Sequence, residues 1–244
     1  MTKIRDFIRK RRVSKYVNKN GWCFNYHNID FQLPSNTEID VANALIKGKY
    51  EKEEVQMISS HVPPDKSVIE LGGSFGIVSG LISKNLNKGV EHIIVEANPL
   101  LSEVCLTNAL AGSSNTKITI VQKAICYSEE IIEFKIANNP HSSSLFELPD
   151  KQVNKIVKIP SITLNEIYQS LENQKDYTLI CDIEGGEEDM ALYDIGTIAK
   201  AKTIIMELHP NLLQNGQSQI PILMKDKGFI IKEQIGNVFS WARY

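Results

Sequence analysis

With 244 residues, 42% of them hydrophobic and 23% charged, the chain can bury the core of one α/β domain and has the make-up of an ordinary globular protein. It holds no apolar run near the ~18 residues of a membrane span, and its first twenty residues lack the apolar centre of a signal peptide, so a cytoplasmic protein is expected. The net charge of −2 hides an asymmetry: residues 1–20 carry eight basic side chains against Asp6 alone, and the acidic excess lies in the rest.

In chain order, the basic arm predicts a solvated helix whose Ile4, Phe7 and Ile8 share one face and pack onto the body. Through residues 1–19 the arm would also suit the surface of an anionic membrane. A nucleic-acid partner is not expected, because the body is acidic. Trp22 to Leu33 alternates and breaks at His27-Asn28, which predicts a small hairpin. Residues 37–47 read as a short helix or loop. Together, residues 1–47 make an N-terminal extension, and residues 48–244 the main domain. Gly48 to Glu51 leads into a helix through Ser60, which Pro63-Pro64-Asp65 stops.

The stretch Val68-Ile-Glu-Leu-Gly-Gly-Ser-Phe-Gly76 then reads as a buried strand, a glycine turn and a helix from Ile77 to Asn85. Gly72, Gly73 and Gly76 allow a sharp bend and close approach by a ligand, beside free N–H groups at the helix start. Glu96 ends the next apolar run, twenty residues beyond Gly76, where a carboxylate reaches the ribose hydroxyls of a nucleoside cofactor. The loop is not the G-x-G-x-x-G of NAD enzymes, and none of the eight Tyr has the Lys four positions on that a short-chain reductase needs. An acid two places before the first glycine, followed by G-x-x-x-G, instead matches class I methyltransferases that bind S-adenosyl-L-methionine. Glu70 would there lie near the methionine ammonium.

Pro99 to Ala111 is the next helix, with Leu100, Leu101, Val104, Leu106 and Leu110 apolar. Lys117 to Val121 is a third strand whose carboxyl end, including Ala124 and Ile125, would flank the adenine. Glu130 to Ala137 and Val157 to Ile162 have strand character. The polar loop between them holds His141 and Ser142 to Ser144, which either border an acceptor pocket or form an ordinary loop. Thr163 with Glu166 reads as a capping box. Tyr177 to Asp182 and Thr203 to His209 are further strands, and Phe229 to Trp241 a closing hairpin about Ile235-Gly236. The sum is an α/β fold: a Rossmann-like class I methyltransferase sheet, mostly parallel with a C-terminal antiparallel hairpin, and helices on both faces. Cys23, Cys105, Cys126 and Cys181 form no C-x-x-C pair and read as reduced thiols.

Five segments resemble the FkbM family of S-adenosylmethionine-dependent methyltransferases: Gly48-Lys-Tyr-Glu-Lys-Glu-Glu54, the glycine strand, Val95-Glu-Ala-Asn-Pro99, Cys181-Asp-Ile-Glu-Gly-Gly-Glu187 and Met206-Glu-Leu-His209. The D-x-E-G-x-E segment is the most specific. Departures are Glu70 where the family usually has Asp, Ser74 where it has Asn, and Ile180 where it has Lys. The resemblance implies a cofactor site of Glu70, Gly72, Gly73, Ser74, Gly76, Glu96, Ala97, Asn98, Ala124, Ile125 and Asp182. It also implies methyl transfer to a hydroxyl of a small-molecule or glycan acceptor, in polysaccharide or glycolipid pathways.

Methyl transfer to a hydroxyl requires in-line approach and loss of a proton. Asp182, at a strand end, is the leading base or else holds the cofactor's ammonium. His209 is the second base candidate, Glu184 a third. Glu184 and Glu187, with His141, would bind acceptor hydroxyls; alternatively the two glutamates are a charge cluster at a helix start. No metal is expected. Asp182, Glu207 and His209 would offer ligands, but spacing alone does not place three of them together.

Overall fold

The computed structural model describes residues 2–113, 115–137, 153–209 and 218–243. Helix α1 (Thr2–Asn20) leads into the hairpin of β1 (Cys23–Tyr26) and β2 (Ile29–Gln32). Its turn residues His27 and Asn28 have φ of 49° and 62°, the left-handed pair that a two-residue type I′ turn needs. There follow α2 (Ile39–Ile46), α3 (Lys52–His61), β3 (Val68–Leu71), α4 (Ile77–Asn85), β4 (Glu91–Val95), α5 (Ser102–Gly112) and β5 (Lys117–Val121). Next come β6 (Ala124–Ile125), β7 (Ile131–Ala137), β8 (Val153–Ile162), α6 (Leu164–Gln169) and β9 (Tyr177–Cys181). The chain closes with α7 (Glu187–Tyr193), α8 (Ile195–Ile198), β10 (Ala201–Glu207), α9 (Ile220–Asp226), β11 (Ile230–Ile235) and β12 (Val238–Ala242).

Seven strands make the main sheet, in the order β11-β12-β10-β9-β3-β4-β5. β10, β9, β3, β4 and β5 are parallel to one another, whereas β12 runs antiparallel to both β10 and β11. The predicted parallel sheet with a closing hairpin is therefore the observed one. The chain builds outward from β3 to β5 and then returns to lay β9 on the other side of β3. That reversal opens a crevice at the carboxyl ends of β3 and β9.

Period-two alternation divides the core between the two faces. Ile69, Leu71, Leu179, Cys181, Ile204 and Met206 join the cluster with Trp241, while Val68, Ile180 and Ile205 pack with Met57, Ile58 and Ile82. Each such side chain contributes about 1.5–3 kcal/mol on burial.

Two placements differ from what apolar periodicity alone suggests. Leu100 and Leu110 are 61% and 52% exposed, and Cys105 and Ala109 face inward instead. The reason is the close approach of α4 and α5, where a Cβ on Gly112 would stand 1.8 Å from the Gly80 carbonyl oxygen; only small side chains fit the seam. In α1, Ile4, Phe7 and Ile8 are exposed rather than packed. The hairpin and α2 lie under the second half of that helix, so Val13 is buried there and Tyr16 stacks on Phe24 at 5.0 Å. Arg9 and Arg12 reach Asp40 and Asn43 of α2 at 2.8 and 2.6 Å. A third difference concerns Ala124 and Ile125. They do not extend β5 but form β6, paired with Ser161 and Ile162 of β8 in a separate three-stranded sheet.

Candidate active site

The glycine turn is shaped by its neighbours. Gly72 has φ of 95°, and a Cβ there would stand 1.8 Å from the Asp182 carbonyl oxygen, so the loops after β3 and β9 touch backbone to backbone. Asp182 N donates to Leu71 O, and Gly72 N donates to Val95 O, both at 2.9 Å. Ser74 then takes φ of 46°, which turns its N–H toward Glu96. Glu96 accepts from Ser74 N through Oε2 and from Asn98 N through Oε1, each at 2.6 Å. One carboxylate thus clamps the two loops on which a nucleoside would rest. Burial raises its pKa to about 7, against the lowering effect of the Asn98 and Ser74 N–H groups.

The cleft beside this clamp has a cavity volume of about 130 Å³. Gly72, Gly73, Ser74, Glu96, Ala97, Asn98, Ala124, Ile125, Asp182 and Glu184, all singled out in the sequence, border it. Its hydroxyl-accepting carboxylate, apolar ledge and glycine turn fit an adenosine.

Other candidates lie elsewhere. Glu70 is 2% exposed and faces away from the cleft; it accepts from Ser79 Oγ at 2.8 Å and meets His92 Nε2 at 2.7 Å. The strand's alternation sends its side chain under α4, with Val68, so the expected contact with a methionine ammonium is corrected to a buried structural pair. Gly76, with φ of 72°, abuts the Cys105 backbone and does not border the cleft; a Cβ would stand 2.3 Å from Cys105 O. Glu187 is 1% exposed and turned inward, receiving Gly185 N at 3.2 Å and bonding His209 Nδ1 at 2.8 Å, so it holds a side chain rather than an acceptor. His141, with Ser142 to Ser144, lies outside the described residues.

At one end of the cleft the loops after β9 and β10 converge. His209 Nε2 is 3.5 Å from Asp182 Oδ1 and 3.7 Å from Glu184 Oε2. Glu207 lies on the same side, because the intervening Leu208 points into the core at 4% exposure. The Asp182 side chain is 30% exposed, yet its Oδ1 is buried and accepts no hydrogen bond. Burial, then the Glu207 charge, raises its carboxyl well above the usual range, with His209 opposing. For His209, burial lowers the pKa, but the Glu187 hydrogen bond and the surrounding carboxylates outweigh it and push the value up to about 9.

Sequence reasoning assigned no role to Tyr50, Glu51, Glu54, Lys123 or Phe134, which also border the cleft. Glu51 and Glu54 carried a signal: three residues apart at a helix start, they share a face. Burial raises both carboxyls, and the Asp182 charge adds to the rise at Glu54. Such clustering of perturbed carboxyls marks functional clefts.

No curated protein matches the chain. Among solved structures it is similar to magnesium protoporphyrin IX methyltransferase of Synechocystis PCC 6803, with 12% identity over 98% of this chain and 91% of the other, at a TM-score of 0.48. It is likewise similar to a human methyltransferase 10 domain containing protein, with 12% identity over 100% and 98% of the two chains, at a TM-score of 0.49. These likenesses are too distant to add to what the strand order already shows. The model of the methyltransferase FkbM domain matches residues 72–231, from the glycine turn to the start of the closing hairpin. The chain is a member of the FkbM methyltransferase family.

Proposed function

We propose that this methyltransferase acts on a hydroxyl of a sugar, glycan or glycolipid-linked intermediate. The carrying observation is the convergence of Asp182, Glu184 and His209 at the end of the cleft that Glu96 and the glycine turn shape for the cofactor. The cofactor is S-adenosyl-L-methionine, which when bound supplies an electrophilic methyl group. Carboxylates are good acceptors for the hydroxyls of a polyol, and Asp182 and Glu184 face the cleft where such a ligand would enter. His209 Nε2 stands 3.5 Å from Asp182 Oδ1. Asp182, which borders the cleft, is our assignment for the group that takes the proton of the acceptor hydroxyl; His209, steadied by Glu187, holds that carboxylate in place. General-base catalysis of this kind supplies about 10²–10⁴-fold.

The test is methyl incorporation from labelled S-adenosylmethionine into sugar nucleotides, oligosaccharides, RNA and peptides offered side by side. Label in the carbohydrate, with Asp182→Asn lowering kcat about 10²–10⁴-fold and leaving cofactor affinity within a few-fold, supports the reading. Label in RNA or peptide alone overturns it. The surface contact is part of the same proposal. Helix α1 exposes Ile4, Phe7 and Ile8 among its arginines and lysines, a combination suited to the anionic face of a membrane on which a lipid-linked acceptor would sit. The reaction would then take place on the cytoplasmic side; no described helix is long and apolar enough to cross a membrane.

A further inference from the structure

We propose that Asp182, Glu207 and His209 form a divalent-cation site at the acceptor end of the cleft, suited to Mn²⁺ or Mg²⁺. The inference rests on the methyltransferase reading of the cleft and deepens it. One ligand atom from each residue lies within 4.8 Å of the other two. Atoms bound to one ion at about 2.1 Å stand roughly 3–4 Å apart, so modest side-chain rotation closes the set. The fold brings the three together: Asp182 follows β9, while Glu207 and His209 flank the inward-facing Leu208 at the end of β10, the strand beside it.

Two independent features point to a ligand. The first is Asp182 Oδ1, a buried oxygen with no hydrogen-bond donor in the protein; its neighbour His209 Nε2 is 3.5 Å away. A buried acceptor left in that condition is costly unless something positive occupies the place. The second is the Glu187 carboxylate, 1% exposed, bonded to His209 Nδ1 at 2.8 Å. This carboxylate–imidazole pairing is the one that orients a metal-binding histidine, and it leaves Nε2 directed at Asp182 and Glu184. Two oxygens and one nitrogen suit a hard cation. Placed there, the ion would polarise an acceptor hydroxyl and ease loss of its proton to Asp182 or solvent.

The experiment is titration of Mn²⁺ into the EDTA-stripped full-length protein, followed by the loss of the free-ion electron paramagnetic resonance signal. The expected result is one ion per chain, with affinity at least tenfold lower in Glu207→Gln and in His209→Ala. Glu187→Gln, at a positioning residue, should weaken binding about tenfold. No uptake by the unaltered protein, or uptake that neither of the first two substitutions changes, overturns the site. Calorimetric titration of S-adenosylmethionine in EDTA serves both as the folding check on each variant and as the separating measurement. Cofactor binding retained without Mn²⁺ uptake removes the cation site alone. Cofactor binding absent from the unaltered protein removes the reading of the cleft itself.

Discussion

Glu96 shows how one side chain can serve structure and ligand together. Its two oxygens hold Ser74 N and Asn98 N at 2.6 Å, and each keeps a lone pair for a ribose hydroxyl. The same burial that makes the clamp tight raises its pKa to about 7. Because the folded value lies above the ordinary carboxylate range, the neutral form is favoured by folding, and the stability this group adds at low pH is lost as pH rises through about 7. Ligand binding has the opposite sign, since the ionised form is the better acceptor. S-adenosylmethionine should therefore bind more tightly at pH 8 than at pH 6. Glu96→Gln should weaken binding at pH 8 about 10–100-fold, as expected for hydrogen bonds to a charged group, and flatten the pH dependence; calorimetry at the two pH values checks both. Strain gathers at the same place. Glu51, Ser74 and Glu184 have φ of 40°, 46° and 55°, and all three border the cleft. Left-handed backbone at a non-glycine residue costs about 1–3 kcal/mol, and here it directs N–H groups and carboxylates toward one space.

At the scale of elements, the N-terminal helix and hairpin support the cleft without bordering it. Asn108 of α5 is the link: it accepts Gln32 N at 2.8 Å and donates to the carbonyls of Gln32 and Phe75 at 2.9 and 2.7 Å, joining β2 to the glycine loop. Removing residues 1–16 would take Val13 from the apolar cluster that holds Phe24 and Phe31 and uncover the rest. It would leave Glu96 and the glycine turn untouched. The truncated protein should thus melt at a lower temperature yet bind S-adenosylmethionine within about twofold of the full chain, as the residues it loses make none of the charged hydrogen bonds that dominate affinity. A loss of affinity beyond tenfold would show that α1 closes over the site. The capping box of α6 is as legible in sequence as any element: Thr163 Oγ1 accepts Glu166 N, and Glu166 Oε2 receives Thr163 N. The exposed face of α1 was not legible, because Ile4, Phe7 and Ile8 share a helix face whether or not anything lies beneath it.

For the whole molecule, the parallel strands and the antiparallel β12 share one core, and Trp241 closes it. This side chain is 1% exposed, stacks on Phe239 at 5.0 Å and joins the cluster that holds Ile69, Leu179 and Met206. Trp241→Ala should cost about 3–5 kcal/mol. At roughly 2–4 °C per kcal/mol for a chain of this size, that is a Tm lower by about 10 °C in a thermal melt, with the same sheet retained by circular dichroism. What the sequence determined by itself was whatever depends on near neighbours: strand and helix bounds around the glycine turn, the hairpin at His27-Asn28, the cap at Thr163, and the placement of Glu96, Asp182 and His209 at strand ends. Only the tertiary structure decided matters of depth and direction. Glu70 is a strand residue whose alternation turns it beneath α4 onto His92, Glu187 is a helix-start acid turned inward onto His209, and Glu51 and Glu54 reach the cleft from a distant helix. The physical reason is that local periodicity states which residues share a face, whereas what that face meets depends on the packing of segments far apart in the chain.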